Sequence, residues 1–253
     1  MLSSILYLRN IGGAVKPILA ISAVEQEVSL LIRLLDCERI AAQGLPGVFS
    51  GTAGERPVII AASGIGKVNA SSVATALIVQ WRPELVVSTG CAGAYPDTGL
   101  KIGDLGLAVS EVFGDEGVIT SEGWKGLECI GIPIIELKGK RYFNEIPLSF
   151  SAAERAGQLA LALDIPLRRG RFLTVSTCSG TDVRGRELYD RFDPICENME
   201  GAAVALVSLQ YGVDCLEVRG VSNLVENRDM SRWDIPLAVE QAQRFLLKYL
   251  ESY

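Results

Sequence analysis

Four side chains in this sequence are of the types that acid–base and hydrogen-bonding chemistry on a small polar substrate needs. Glu25 and Glu27 lie close to the first apolar run, Glu200 precedes a run of small residues, and Asn223 follows an apolar stretch. Because the chain contains no histidine, general-base catalysis must fall to carboxylates. Each residue also has an ordinary structural reading, since carboxylates stabilise helix starts and asparagine commonly forms turns.

The second half of the chain positions Glu200 and Asn223. The run GAAVALVSLQYG, which begins at Gly201, predicts a buried helix closed by a glycine. Residues 214 to 221 (DCLEVRGV) predict a mostly buried strand. Ser222 and Asn223 fall at the carboxyl end of that strand, where ligand crevices of α/β sheets open. Glu200 is therefore expected at the mouth of a core helix, with two polar loops converging there.

The first half of the chain supplies two further strand ends. The pattern ILAISAV predicts a buried strand that leads into the loop with Glu25 and Glu27, of which one needs to face a ligand. Residues 83 to 89 predict another buried strand, followed by GCAGA. Small residues there allow a ligand to lie against the backbone, which makes Ala92 and Gly93 candidates for the floor of a site. A tight turn without a ligand is the alternative.

Two more loops follow predicted strands. Residues 63 to 67 (SGIGK) lack the remainder of a phosphate-binding P-loop, so close strand–helix packing explains these glycines better than phosphate does. Residues 171 to 177 predict a strand that runs into Cys-Ser-Gly-Thr. Thr177, in the loop 176 to 181, is a candidate substrate-binding residue.

Length and pattern predict an α/β protein with a largely parallel central sheet, because strands alternate with helices throughout the chain. The chain has 253 residues and 49% hydrophobic content, which is enough to bury one large core. We expect one domain over residues 17 to 253, preceded by an extension over residues 1 to 16.

Composition excludes several classes of partner. Lysine and arginine total 24 against 30 acidic residues, and without a basic run nucleic acid is not an expected partner. No apolar run reaches the length of about 20 residues that a membrane span needs. The six cysteines are scattered without a Cys-x-x-Cys pair, which predicts reduced thiols in a cytoplasmic enzyme. We expect no metal and no organic cofactor.

Five motifs resemble those of the nucleoside phosphorylase and nucleosidase superfamily, in particular its hydrolytic 5′-methylthioadenosine/S-adenosylhomocysteine nucleosidase branch. In the order of that family, they are AVEQEV from Ala23, SGIGKV from Ser63, TGCAG from Thr89, MEGAA from Met199 and VRGVSN from Val218. The resemblance runs from about residue 18 to the end of the chain. It implies a three-layer α/β/α fold with a central mixed, mostly parallel twisted sheet.

A closer resemblance is to the futalosine hydrolases, the menaquinone-pathway branch of that superfamily. It rests on Gly93-Ala94-Tyr95, Gly103-Asp104-Leu105, Glu111, Asp115, Gly123-Trp124, Tyr142-Phe143-Asn144, Ser179-Gly180-Thr181, Ser222-Asn223, Arg228-Asp229 and Trp233. The resemblance implies that Glu27 activates the attacking water, that Glu200 binds the ribose hydroxyls beside Met199, and that Asn223 engages the purine. These roles suit the chemistry, because cleaving an N-ribosidic bond builds positive charge on the sugar and negative charge on the base.

Asn223 is the main departure from the adenine-cleaving nucleosidases, which carry an aspartate at this position. An aspartate can deliver a proton to N7 and accept a hydrogen bond from a 6-amino group, whereas an amide cannot protonate the base. An amide can donate to N7 or O6 of a 6-oxopurine, so Asn223 predicts hypoxanthine as the leaving base.

Water is favoured over phosphate as the nucleophile. The hexameric phosphorylases place an arginine where this chain has Ser88, and the carboxylate of Glu27 is poorly suited to lie beside a phosphate anion. The resemblance further implies a homodimer or homotetramer, in which Phe143 is a candidate for completing a neighbour's pocket.

Arg228 and Trp233, which follow Asn223 in the sequence, are candidates for contacts with the part of the substrate farthest from the base. Trp233 occupies the position of a phenylalanine over the active site of adenine-specific relatives, although a helix-anchoring tryptophan is the structural alternative. Arg228 is the candidate partner for the benzoate carboxylate of futalosine, although an exposed loop arginine explains it equally well.

The sequence therefore predicts a hydrolase that releases hypoxanthine from futalosine. One rival is a nucleosidase for a 6-aminopurine substrate such as aminodeoxyfutalosine or methylthioadenosine, and Asn223 argues against it. The other is a nucleoside-binding protein without turnover, against which the presence of both Glu27 and Glu200 argues.

Overall fold

The computed structural model describes residues 15–42, 44–45 and 47–253. Within these residues the strands are β1 (Ile18–Ser22), β2 (Glu38–Arg39), β3 (Val48–Ala53), β4 (Arg56–Ala62), β5 (Leu85–Ala94), β6 (Leu105–Phe113), β7 (Val118–Thr120), β8 (Gly123–Lys125), β9 (Ile135–Leu137), β10 (Lys140–Tyr142), β11 (Glu145–Pro147), β12 (Leu167–Thr174), β13 (Cys196–Asn198) and β14 (Asp214–Leu224). The α-helices are α1 (Ser29–Leu34), α2 (Lys67–Trp81), α3 (Phe150–Ala162), α4 (Asp182–Phe192), α5 (Gly201–Tyr211) and α6 (Ile235–Glu251). Most of the predicted extension over residues 1 to 16 lies outside the described residues.

The main sheet is mixed, which confirms the α/β class expected from the sequence. Its strand order is β11-β6-β12-β13-β5-β1-β4-β3-β2. Parallel ladders join β1 to both β4 and β5, and β14 to β5. Antiparallel ladders join β3 to β4 and β13 to β5.

The three-layer description fits the helices better than it fits the sheet. Strand β14 pairs in parallel with β5 and antiparallel with β6, so that β5, β14, β6, β12 and β13 close into a ring. The closure is possible because β5, β6 and β14 have 10, 9 and 11 residues. Twisted strands of that length can pair with different neighbours along their course. The expected α/β fold with a mixed sheet is therefore confirmed, whereas the three-layer, mostly parallel arrangement does not describe this half of the molecule, in which the strands close into a ring.

Helices cover both faces of the open part of the sheet. Alternate residues of β1 separate the two cores: Ile18 and Ala20 pack with α1, α3 and α6, whereas Leu19 and Ile21 pack with α2 and α5. Within the described residues, no helix is both long enough and apolar enough to cross a membrane.

The strand ends determine where the candidate residues lie. Strands β1, β4, β5 and β14 run in the same direction, because each pairs in parallel with at least one of the others. Their carboxyl ends therefore open at one edge of the sheet. The loops that follow β1, β4 and β5 and the last residues of β14 carry the residues considered next.

Candidate active site

Glu27 lies at the end of the loop after β1 and folds back onto that loop. Residues Glu25–Glu27 form one turn of 3-10 helix, and the Glu27 side chain is 5% exposed. Its Oε2 accepts hydrogen bonds from the backbone N–H groups of Ala23 (3.0 Å) and Val24 (3.2 Å). Its Oε1 accepts from the N–H of Cys91 at 3.0 Å, in strand β5. Glu25, by contrast, is exposed and forms an ion pair with Arg39, so Glu27 is the acidic residue of this loop that faces inward.

Gly90 makes room for the Glu27 carboxylate. Its φ angle is +145°, and a Cβ there would lie 2.8 Å from Glu27 Cδ and closer still to Oε1. We expect Gly90→Ala to displace the carboxylate and lower kcat by about 10²-fold, since misplacing a catalytic group by about 1 Å has that effect. Steady-state kinetics on the folded variant measures this loss.

Gly99→Ala is the matched control for Gly90→Ala. Gly99 also has a positive φ, +81°, but no atom lies within 4 Å of the position that a Cβ would take. This variant therefore carries backbone strain without a collision, and we expect lower thermal stability with unchanged kcat. Equal losses of kcat in the two variants would show that strain, and not the position of Glu27, causes the effect.

Glu200 is the N-cap residue of α5, as the sequence predicted, and its side chain is 6% exposed. Its Oε1 accepts a hydrogen bond from Gly66 N–H at 2.9 Å, in the glycine-rich loop before α2. Burial raises the pKa of the Glu200 carboxyl, and the nearby Arg219 guanidinium and the Gly66 amide oppose that shift, while the charge of Glu27 adds to it. Glu27 and Glu200 are thus close enough to influence each other.

The buried Arg219 side chain connects the loop that contains Glu200 with strand β5. It is 2% exposed, and its guanidinium donates to Glu217 Oε1 (2.6 Å) and to the Cys91 carbonyl (3.1 Å). The same guanidinium lies 3.7 Å from Glu200 Oε2 and 3.4 Å from the Ser88 hydroxyl. The surrounding carboxylates raise its pKa despite its burial. Arg219 therefore ties the Glu200 loop to the strand that binds Glu27.

Asn223 lies at the carboxyl end of β14 and is 8% exposed. Its Nδ2 donates to the Leu224 carbonyl at 2.9 Å, and its Oδ1 accepts from the Ser222 hydroxyl at 2.8 Å. A Cβ on Gly93 would lie 3.1 Å from Asn223 Nδ2, so the glycine leaves space directly against this amide. The ladder between β14 and β5 shifts register between Val221 and Asn223, which sets this end of the strand apart.

The other predicted binding residues differ in their burial and in their contacts with Glu200 and Asn223. Ala92 is buried, and its carbonyl lies 3.2 Å from the Ser222 hydroxyl. Ser222 itself is 2% exposed, so the structure places its hydroxyl against protein groups, where it orients Asn223. Met199 is half-buried beside Glu200, and Thr177 is exposed in the loop after β12.

Buried hydrogen bonds anchor the loop that contains Thr177. Glu197 in β13 accepts from the Ser179 amide (2.7 Å), the Ser179 hydroxyl (2.6 Å) and the Tyr95 hydroxyl (2.9 Å). At the other end of the loop, Asp115 accepts from Ser176 N–H at 2.6 Å. The loop is therefore fixed on both sides of Thr177, next to the strand that leads into Glu200.

Arg228 and Trp233 lie together in the loop after β14. The Arg228 guanidinium lies over the Trp233 ring, 4.7 Å from its centroid. Arg228 is exposed and Trp233 is half-buried. The pair forms a positively charged aromatic surface on the loop that continues from Asn223.

Sequence reasoning assigned no role to Arg219, Glu217 or Glu111. Arg219 and Glu217 are two residues apart in an otherwise apolar strand, and residues at that spacing share one face. Two opposite charges on the same face of a buried strand were the available signal. Glu111 was among the residues that carried the resemblance, but its contacts with Asn198 and Thr174 depend on segments far apart in the sequence.

Two buried carboxylates and a buried amide thus lie at the edge of the sheet where the strand ends open. A carboxylate that accepts three backbone hydrogen bonds is held in one orientation and keeps acceptor capacity for a water molecule. Among the described residues, no group of three or more His, Cys, Asp or Glu side chains could hold a metal ion.

Comparisons with known proteins identify the family and relatives with the same fold. The family model described as the Phosphorylase superfamily matches residues 17–251. A futalosine hydrolase of Thermus thermophilus is 35% identical over 188 residues, which are 74% of this chain and 79% of that protein. A 5′-methylthioadenosine/S-adenosylhomocysteine nucleosidase of Halalkalibacterium halodurans is 29% identical over 207 residues, 81% of this chain and 84% of that protein.

A solved structure has the same fold. The futalosine hydrolase of Helicobacter pylori superimposes with a TM-score of 0.81 at 24% identity, over 94% of this chain and 99% of that one. At this identity the likeness concerns the fold alone.

Proposed function

This chain belongs to the phosphorylase superfamily, and we propose that within it the protein is a futalosine hydrolase. Water cleaves the N-ribosidic bond of futalosine to give hypoxanthine and dehypoxanthine futalosine. The observation that carries the proposal is the buried Glu27 carboxylate, which three backbone N–H groups hold in the same site as Glu200 and Asn223.

Glu27 acts as the general base in this proposal. Three backbone N–H groups hold the Glu27 carboxylate in place. The carboxylate oxygens keep a free lone pair, which accepts a hydrogen bond from the attacking water. As the bond to the base breaks, the sugar becomes positively charged, and water adds to the anomeric carbon while it gives one proton to Glu27. The hypoxanthine anion leaves with its charge stabilised by the hydrogen bond from Asn223 and takes up a proton from solvent, and Glu27 returns its own proton to solvent. Glu200 binds the ribose hydroxyls, and its negative charge stabilises the cationic sugar.

The charges around the site favour water over phosphate. Arg219 is engaged by Glu217 and lies against Glu200, and Lys67 donates to Asp115 (2.5 Å) and Glu116 (2.6 Å). Carboxylates thus neutralise both Arg219 and Lys67. A phosphate dianion beside Glu27 would meet repulsion in a poorly solvated space.

The hydrogen bonds of Asn223 favour a 6-oxopurine. Its oxygen accepts from Ser222, and one of its two amide hydrogens is donated to the Leu224 carbonyl. The second hydrogen remains for the substrate, and it can be donated to N7 or O6 of hypoxanthine. The amide cannot transfer a proton to N7, as an aspartate can, so a 6-aminopurine gains less from this residue.

The substrate is identified by measuring free base released from futalosine, aminodeoxyfutalosine, methylthioadenosine and inosine. We expect hypoxanthine release from futalosine to have the highest kcat/KM. Faster adenine release from aminodeoxyfutalosine or methylthioadenosine would replace the proposal with a 6-aminopurine nucleosidase. Nucleoside binding without release of any base would indicate a binding protein.

The Arg228 side chain binds the benzoate carboxylate of futalosine in this proposal. Arg228→Ala is expected to raise KM for futalosine by about 3- to 10-fold with unchanged kcat, since an exposed charge pair contributes about 1 kcal/mol. KM for inosine, which has no carboxylate, should stay the same. Arg232→Ala is the matched control in the same loop, because Arg232 pairs with Glu226 at 2.6 Å. An unchanged KM for futalosine in Arg228→Ala would remove Arg228 from the binding site.

The remaining expectations follow the same proposal. Residues 17 to 253 act as one nucleosidase domain, the enzyme works in the cytoplasm as a homodimer or homotetramer, and its product feeds menaquinone biosynthesis. The family match over residues 17–251 supports the domain boundary, and the free cysteines suit a reducing compartment.

A further inference from the structure

Two buried carboxyl groups lie directly beneath the Glu200 loop, and the proposed reaction uses neither of them. Glu111 in β6 and Glu217 in β14 are both 0% exposed. They converge on Gly201, the first residue of α5. A Cβ on Gly201 would lie 2.5 Å from both carboxylate oxygens of Glu217 and closer still to Glu111 Oε1. The two carboxyl groups therefore share one small space, which the glycine keeps open.

Glu111 is tied to the start of α5 through two polar side chains. Its Oε1 accepts from Asn198 Nδ2 at 2.6 Å, and its Oε2 lies 2.7 Å from the Thr174 hydroxyl. Asn198 Oδ1 in turn accepts from Glu200 N–H (3.0 Å) and Gly201 N–H (2.7 Å). Glu111 thus supports the backbone of the residue that is proposed to bind ribose.

Glu217 is tied to the same residue through Arg219. Its Oε1 accepts from Arg219 Nε at 2.6 Å, and the Arg219 guanidinium lies 3.7 Å from Glu200 Oε2. Its Oε2 is buried and meets no hydrogen-bond donor from the part of the chain that the structure describes. An unsatisfied oxygen of a buried carboxylate is unfavourable unless a neighbouring group supplies a proton. The carboxyl of Glu111 is the neighbouring group that can do so.

The buried charges around Gly201 also require one proton on this pair of carboxyl groups. If Glu111, Glu217 and Glu200 were all ionised, three buried carboxylates would face the single cation Arg219. A buried charge without a partner is costly, and two carboxylates in one site do not both ionise. One proton on the pair leaves Arg219 between two anions, Glu217 and Glu200, which matches its observed contacts.

We propose that Glu111 and Glu217 share one proton, carried by Glu111, and that this pair positions Arg219 and the start of α5 so that Glu200 stays ionised and correctly placed. The role assigned to Glu200 rests on the proposed function, whereas the shared proton does not. Loss of the proton would draw Arg219 away from Glu200 toward a doubly charged pair. Glu111 and Glu217 are therefore positioning residues that do not touch the substrate.

The pKa of Glu111 agrees with this assignment. Burial raises it well above the usual glutamate range, and the charge and hydrogen bond of Glu217 raise it further, while Thr174 and Arg219 act in the opposite direction. The titratable and charged groups around the pair are Arg219, Glu200, Cys196 and Cys215, and Glu27 acts on Arg219 and Glu200 in turn.

Glutamine substitutions distinguish the two carboxyl groups. Glu111→Gln resembles the protonated acid, so we expect kcat/KM within about 3-fold of the wild type. Glu217→Gln removes the negative charge that holds Arg219 Nε. Arg219 is then no longer fixed in place and pairs with Glu200 alone. We expect kcat/KM to fall at least 10-fold, mainly through KM, because a charged hydrogen bond is lost. Equal losses in the two variants, or no loss in either, would overturn the assignment.

Infrared spectroscopy tests the shared proton without any substrate. At neutral pH the wild type should show the C=O stretch of a protonated carboxylic acid that Glu111→Gln lacks. Absence of such a band from the wild type would overturn the proposal, even if the enzyme hydrolyses futalosine. Presence of the band in a protein that hydrolyses no nucleoside would uphold the pair and reject the proposed function.

The pH dependence of Tm also tests whether Glu111 carries a proton in the folded protein. A group whose pKa is raised in the folded state contributes stability at low pH and loses it as pH rises toward that pKa. Wild-type Tm should therefore fall relative to that of Glu111→Gln as pH rises above the ordinary glutamate range. A constant difference in Tm would contradict the shared proton. Should Glu111→Gln not fold, Glu111→Met, which is similar in volume and cannot ionise, serves for both comparisons.

Discussion

Glu27→Gln is expected to lower kcat for futalosine hydrolysis by about 10²- to 10⁴-fold, which is the usual contribution of a general base. The amide cannot take a proton from the attacking water at neutral pH. KM should change little, because Glu27 acts on the water and other residues bind the nucleoside. Steady-state kinetics on the purified variant measures both quantities.

The same substitution should also lower stability. Glu27 uses both oxygens, one toward Cys91 and the other toward Ala23 and Val24. A glutamine has only one oxygen, so at least one buried N–H loses its acceptor, at a cost of about 1–3 kcal/mol in the free energy of unfolding. Thermal unfolding therefore has to accompany the kinetics, to show that the measured protein is folded.

Glu25→Gln is the control for Glu27→Gln. Glu25 lies in the same turn but is exposed, and its ion pair with Arg39 is at the surface. We expect wild-type kcat and nearly wild-type stability. If Glu25→Gln lost as much activity as Glu27→Gln, or if Glu27→Gln retained more than a tenth of wild-type kcat, Glu27 would not be the base.

Asn223→Asp is expected to shift base preference toward 6-aminopurines. The ratio of kcat/KM for futalosine to that for aminodeoxyfutalosine should fall by about 10²-fold, equivalent to about 2.7 kcal/mol of differential transition-state binding. An aspartate offers no fixed N–H to the 6-oxopurine. It can instead protonate N7 and accept from a 6-amino group.

The local contacts of Asn223 make the change in the kcat/KM ratio larger than the loss of one hydrogen-bond donor would produce. Asn223 Nδ2 lies 2.9 Å from the Leu224 carbonyl, and an aspartate oxygen in the same place would repel that carbonyl unless it were protonated. The substituted side chain therefore has to turn or take up a proton, and either change disturbs the contact with a 6-oxopurine beyond the loss of one donor. A competition assay with both nucleosides in one reaction measures the ratio directly.

Asn223→Ala separates loss of a contact from change of specificity. Alanine removes the donor without adding an acid, so activity on both nucleosides should fall and the ratio should change less than in Asn223→Asp. An unchanged ratio in Asn223→Asp would mean that other residues select the base.

The parts of the site that the sequence predicted depend on local signals. Glu200 was expected at a helix start, because a run of small apolar residues follows it directly, and it is the N-cap residue of α5. Asn223 was expected at the end of a buried strand, and it lies there in β14. In both cases the pattern and the element span fewer than twenty consecutive residues.

The parts that the sequence did not predict depend on contacts between distant segments. The ring of strands requires β14 to pair with both β5 and β6, and no local pattern specifies a second neighbour. Arg219 joins Glu217 and Glu200 with strand β5 only after the fold brings them together. The hydrogen bonds of the Ser222 hydroxyl, to the Ala92 carbonyl in β5 and to Asn223, likewise could not be read from the sequence of β14.

The central claim is that water, and not phosphate, cleaves the N-ribosidic bond of futalosine, and isotopic labelling tests it most directly. A reaction with futalosine in water enriched in ¹⁸O, with and without phosphate, is followed by mass spectrometry of both products. The proposed mechanism predicts hypoxanthine at the same rate in both conditions, with one ¹⁸O atom in the sugar product beyond what that sugar exchanges with the solvent when incubated alone. Formation of a sugar 1-phosphate, or a strict requirement for phosphate, would contradict it.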